Sequence, residues 1–125
     1  MSPTVVIVKL QVQELWRFQL DWDEPVPDAI NMEWNDLRKS LVNISKISIP
    51  RQVTCIRAVN YELHGFADAS MIAFGACVYI RSVFGDGSAS SRLLSSKSKV
   101  APVDELTNPR RELCAALLLV RLITW

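Results

Sequence analysis

Apolar residues recur with two different periods along this chain. Val8, Val12, Leu15 and Trp16 recur at helical spacing behind Ser2 and Pro3, which read as an N-cap and a first helical position. This pattern predicts a helix over residues 4–20. The stretch Asp21-Trp22-Asp23-Glu24-Pro25-Val26-Pro27 ends it, because each proline lacks an amide donor and pushes the residue before it out of helical geometry. Ile30, Trp34, Leu37, Leu41 and Ile44 then advance by steps of four, three, four and three, a single apolar stripe facing one partner. The two helices are expected to form an antiparallel pair.

Residues 45–50 end the helical pattern, and the stretch up to residue 60 reads as a linker or short extended segment. From Tyr61 the period becomes two: Tyr61, Leu63, Gly65 and Ala67 alternate with Glu62, His64, Phe66 and Asp68. That predicts a strand over 61–68 with Asp68 at its C-terminal end. Residues 73–80 form a second, more continuously apolar strand. Asp86-Gly87 marks a turn, and 92–100 read as a third strand. A final helix is predicted with Asn108 as cap, Pro109 at its first position, and Leu113, Ala116, Leu117 and Val120 as its stripe. That helical pattern is still running at Trp125, as in a chain interrupted inside a helix. The expected fold class is α+β: an N-terminal helical pair, then a three-stranded antiparallel meander plus one helix.

Composition narrows the function classes. Half of the 125 residues are apolar, too many for a disordered tail. Fourteen Lys and Arg against thirteen Asp and Glu leave a net charge of +1, which gives no global field for nucleic acid or membrane. The charge is nevertheless uneven. Residues 13–36 hold seven acids and one base, and residues 37–61 hold five bases and no acid, a pattern that solvated helix faces and loops also explain. Three widely spaced cysteines, Cys55, Cys77 and Cys114, fit reduced thiols better than a disulfide framework. The longest apolar run, 114–120, is far shorter than the roughly 20 residues of a membrane span, so no membrane partner is expected. The expected address is the cytosol or nucleus.

Two carboxylates stand out by position. Asp68 closes the first strand, and Glu112 lies in the first turn of the last helix, so the pair can converge on a divalent cation. Taken alone, an Asx-turn for Asp68 and a favourable acid near a helix N-terminus for Glu112 are the weightier explanations. Other chemistries fail more plainly. Asp68-Ala69-Ser70 and Asp86-Gly87-Ser88 lack the order of an aspartic-protease centre. His64, the single histidine, is at least nine positions from any cysteine and reads as a residue on the polar face of its strand. No Cys-x-x-Cys, His-Glu-x-x-His or phosphate-cradling glycine loop is present. Core packing is the default explanation for Trp16, Trp22, Trp34 and Trp125.

Several separate motifs bring a family into view. The run Glu62-Leu63-His64-Gly65-Phe66-Ala67-Asp68-Ala69-Ser70, followed by Ala73-Phe74-Gly75-Ala76-Cys77-Val78-Tyr79, resembles the start of the ribonuclease H region in BEL/Pao-type LTR retrotransposon polyproteins. Ser96-Lys97-Ser98-Lys99-Val100-Ala101-Pro102, Leu106-Thr107, Pro109-Arg110 and Glu112-Leu113-Cys114-Ala115-Ala116-Leu117-Leu118-Leu119 resemble that family's third strand, connector and first helix. Upstream, Leu15-Trp16, Leu20-Asp21-Trp22-Asp23-Glu24-Pro25 and Ile47-Ser48-Ile49-Pro50-Arg51 are similar to the stretch after its reverse transcriptase. The resemblance implies a helical connection segment over residues 1–59. It implies the N-terminal half of a ribonuclease H-like domain, truncated, over 60–125.

By the same resemblance, Asp68 and Glu112 are the first two acids of a four-carboxylate centre that cleaves the RNA of an RNA–DNA hybrid. Such centres use two Mg²⁺ ions about 4 Å apart to clamp the attacking water and the leaving oxygen. Asp68, on the family's central strand, would bridge them, and Glu112 would hold one metal. The other two acids would come from a fourth strand and a later helix, which follow these elements in the family and lie outside this sequence, and the polymerase acids are absent too. The isolated chain is therefore expected to be inactive and to depend on the remainder of the polyprotein. Arg111 stands where the family usually has an apolar residue, either in solvent or disturbing the site. Ala67 replaces a common cysteine. The strand over 61–68 would lack its second neighbour and offer an open edge for self-association. An alternative function is a non-enzymatic nucleic-acid-binding or assembly module, in which Arg92, Lys97, Lys99, Arg110 and Arg111 touch phosphates.

Overall fold

The computed structural model describes residues 3–102 and 107–124. They form two compact units that divide between Ile49 and Pro50. In the first unit, α1 (Pro3–Phe18) is followed by α2 (Asp28–Leu41) and a 3₁₀ turn (Val42–Lys46). Ser2, expected as the cap of α1, lies outside the described residues. α1 stops two residues short of expectation because Gln19 adopts φ 50°, a left-handed conformation that ends a helix. The acidic loop closes on itself, with Glu24 N–H donating to Asp21 O (3.1 Å) and Asp21 N–H donating to Glu24 Oε2 (3.2 Å).

Gln11, Ile30 and Leu37 are buried in this unit. The tryptophans do not join them: Trp16 and Trp22 are exposed almost throughout, Trp34 is nearly half exposed, and Trp125 lies outside the described residues. A helical pair has one shared interface, so only a narrow stripe of each helix is covered. That geometry corrects the expectation of core tryptophans.

The second unit contains β1 (Asn60–Ala69), β2 (Ala73–Val83), β3 (Ala89–Val100) and α3 (Asn108–Ile123). The sheet is antiparallel with order β1-β2-β3, the expected meander, and with the helices it makes the expected α+β fold. β2 is central here and β1 is an edge strand. β3 begins three residues earlier than expected because the β2–β3 turn is tightly closed. Phe84 N–H donates to Ser88 O (2.9 Å), Asp86 Oδ1 accepts from both Ser88 N–H (2.9 Å) and Ser88 Oγ–H (2.6 Å), and Gly87 takes φ 83°. The ladder has one irregularity: Val78 pairs with Ser95 and Tyr79 with Leu93, so Leu94 bulges. Residues 50–59 are tied to the sheet. Val59 N–H donates to Val83 O (2.8 Å), Tyr61 Oη–H to Cys55 O (2.8 Å), and Arg92 Nη1–H to Gln52 O (2.6 Å).

α3 packs over β1 and β2. Its core is Phe74, Ala76, Ala115 and Leu118, with Ala69, Cys114, Leu119 and Leu122 packed around them. The stripe expected to be buried faces the other way: Leu113 is 72% exposed, Leu117 50% and Val120 55%. Small residues explain the choice of face. A Cβ on Gly65 would lie 2.8 Å from Leu119 Cδ1, so the missing side chain lets the Ala115/Leu119 face approach closely. The cap also differs from expectation. Thr107 is the N-cap, without a side-chain cap bond, and Asn108 is the first helical residue. α3 ends at Ile123, where Thr124 N–H and Oγ–H both donate to Val120 O at 3.0 Å. Among the described residues, no helix is long and apolar enough to cross a membrane.

Filling the space above Gly65 should therefore force the Leu119 side chain to shift and loosen the seat of α3. Gly65→Val is expected to lower stability by about 1–3 kcal/mol in urea denaturation, despite valine's preference for strands. The same substitution should cost less in a Leu119→Ala background.

Candidate functional site

The N-terminal end of α3 lies over the β1–β2 turn, and this placement assembles the candidate site. A cleft of 340 Å³ is lined by Ala69, Ser70 and Met71 of the turn and by Asn108, Arg111 and Glu112 of α3. The turn is held by Ser70. Its N–H donates to Ala73 O (2.8 Å), its Oγ–H donates to the same oxygen (2.8 Å), and its Oγ accepts from Ala73 N–H (3.1 Å).

Glu112 thus lines the cleft as an exposed carboxylate. Asp68 is the residue before Ala69 and is not itself among the lining residues. Strand alternation turns it to the sheet face opposite Ala69, and its cross-strand partner is Gly75, which brings no side chain alongside. The structure brings the two acids to the same end of the unit without placing both in the cleft. Among the described residues, neither takes part in an ion pair. Among the described residues, no group of three or more His, Cys, Asp or Glu residues comes together to hold a metal ion.

The basic residues divide into two places. Lys97 and Lys99 are exposed on β3 opposite Ala76 and Phe74, towards the end of the sheet where Glu112 lies. Arg110 is exposed in the first turn of α3. Arg92 is set apart, roughly 23 Å along the strand from Lys99 at about 3.3 Å per residue, with its guanidinium donating to Gln52 O. Arg111 does not project freely into solvent, and among the described residues it meets no carboxylate. It is half-buried, and its Nη1–H donates to Asn108 Oδ1 (3.0 Å).

Two other acids have structural duties away from the cleft. A hydrogen bond from His64 (3.1 Å), reinforced by one from Arg81 Nη1 (2.9 Å), holds the Glu62 carboxyl below the usual glutamate range. Bonds from the Ser88 hydroxyl and amide lower Asp86 in the same way. Depressed carboxyl groups stabilise the fold above their ordinary titration range, and that contribution is lost as pH falls through the lowered values. His64 is thereby a residue of the polar strand face, as expected, and the three cysteines are free.

Ser70, Asn108 and Arg111 were not anticipated as lining one cleft. A signal for Arg111 existed: positions 111, 114, 115, 118, 119 and 122 form a helical stripe of their own, with Arg111 at its head.

A three-stranded antiparallel sheet with a helix packed on one face is consistent with a ribonuclease H-like unit. The chain belongs to the family described as the Pao retrotransposon-like RNaseH-like domain, whose family model matches residues 1–125. This makes it a fragment of a BEL/Pao retrotransposon pol polyprotein. No curated protein and no solved structure matches it.

The Ser70 clasp sets the shape of one wall of the cleft. Ser70→Ala should cost about 1 kcal/mol in denaturant unfolding and broaden the amide signals of residues 69–73. Ser70→Thr, which keeps the hydroxyl, should restore most of both.

Proposed function

We propose that residues 60–125 contribute the first half of a ribonuclease H-like centre to the polyprotein, and that residues 1–59 are the helical segment following its reverse transcriptase. In this reading, Asp68 and Glu112 serve cleavage of the RNA strand in RNA–DNA hybrids, and the isolated chain does not turn over. The observation that carries it is the docking of α3. Its packed face sets Glu112 above the β1–β2 turn, beside the end of the strand that bears Asp68.

The donors are all carboxylate oxygens, which suit a hard cation such as Mg²⁺. A bound ion of this kind supplies charge stabilisation at the phosphoryl oxygens and a more acidic water. Asp68 and Glu112 are the residues that would hold it. Two carboxylates, with no third acid grouped with them among the described residues, leave such an ion short of protein ligands. Elements from the remainder of the polyprotein would supply the others. The open edge of β1, hydrogen-bonded to β2 alone among the described residues, gives those elements or a second copy of the chain a place to pair.

The test is Mg²⁺-dependent cleavage of a labelled RNA–DNA hybrid by the chain. No turnover above background is expected, with weak Mn²⁺ broadening of the Asp68 and Glu112 amides that weakens in Asp68→Asn and Glu112→Gln. Robust turnover abolished by Asp68→Asn would overturn the inactivity. Absence of any Mn²⁺ response at these residues would overturn the half-centre.

A second reading is favoured by the exposure of Lys97, Lys99 and Arg110 towards one end of the unit: a non-enzymatic module that binds nucleic-acid phosphates. It predicts hybrid or single-strand affinity that falls steeply with salt, survives loss of both acids, and drops in Lys97→Glu/Lys99→Glu. No detectable binding at low salt would remove it.

A further inference from the structure

The cleft holds a cation that the two-carboxylate reading leaves unused. Arg111 lies among Ala69, Ser70, Met71, Asn108 and Glu112. Its Nη1–H is committed to Asn108 Oδ1, but its Nε is out of contact with solvent and has no hydrogen-bond partner. A guanidinium cannot relieve this by losing its proton. A buried donor left without a partner is destabilising, and more so when the group is charged. Among the described residues, the ion pairs join Lys39 to Asp36 and join His64 and Arg81 to Glu62, so none neutralises Arg111. Ser70 gives no relief, because its hydroxyl is turned to Ala73, donating to its carbonyl and accepting from its amide.

We propose that Arg111 is the anchor of an oxyanion site in this cleft, which takes a phosphate group of a nucleic-acid strand beside Glu112. The planar fork of arginine matches the paired oxygens of a phosphate, and 340 Å³ leaves room for such a group with part of its sugar. The first turn of α3 has no side-chain cap, so its amides add to the preference for an anion. Glu112 works against that preference in the metal-free chain, since its carboxylate repels an oxyanion at short range. That the phosphate belongs to a hybrid rests on the function proposed above. The anion site itself does not.

The test is a titration of the full chain with inorganic phosphate in EDTA at low salt, following the Arg111 Nε–H resonance. A saturable shift is expected in the wild type, at least tenfold weaker binding in Arg111→Leu, and equal or tighter binding in Glu112→Gln. Arg111→Lys keeps the charge but lacks the fork, and should bind at least fivefold more weakly. It reads the site even where the leucine variant fails to fold. An unmoved Nε–H at saturating phosphate, or wild-type affinity in Arg111→Lys, overturns the proposal. Because EDTA removes divalent ions, a missing phosphate response sinks the anchor alone, whereas a missing Mn²⁺ response sinks the half-centre.

Discussion

The close approach of α3 to the β1–β2 pair is the contact on which the second unit depends. It exists because Gly65 has no side chain where Leu119 sits and because Ala76 and Ala115 are small where the helix crosses the sheet. Close packing of this kind is felt at the level of single methyl groups. The seat decides more than stability. It fixes which side of α3 faces the sheet, and so which residues of its first turn overlook the β1–β2 turn. Glu112 and Arg111 line the cleft as a consequence of where Leu119 rests.

The acids of this unit divide into two kinds. Glu62 and Asp86 are bound into the sheet and its turn, where hydrogen bonds keep them ionised. Asp68 and Glu112 stand at one end without ion-pair partners among the described residues. Acids held by neighbours serve the fold, whereas Glu112, left open at the cleft, suits a ligand that brings positive charge. Arg111 gives the cleft a second sign of charge.

Much of this arrangement was legible in the residues. Alternation from Tyr61, the continuous apolar run of β2 and the Asp86-Gly87 turn identified three strands, because period-two burial and turn chemistry are local signals. The α3 face was not legible in the same way. The helix carries two apolar stripes, Leu113/Leu117/Val120 and Ala115/Leu118/Leu119/Leu122, and periodicity cannot choose between them. The choice lies in Gly65, on another element. The tryptophans misled for a related reason: Trp16 and Trp34 lie on helical stripes, but a two-helix unit has too little interface to cover them. Asp68 and Glu112 were found as candidates from strand end and helix start. The cleft itself, with Ser70 and Arg111, needed the tertiary contact.

The most direct test of this account is a methyl-directed NOE experiment on the chain. Contacts from both Leu119 methyl groups to the Gly65 Hα protons, with none from Leu113 or Leu117 to β1 or β2, are the predicted result. Strong NOEs from Leu113 and Leu117 to the sheet, with Leu119 silent, would show the helix seated on its other face. The cleft built on Glu112 and Arg111 would then be contradicted.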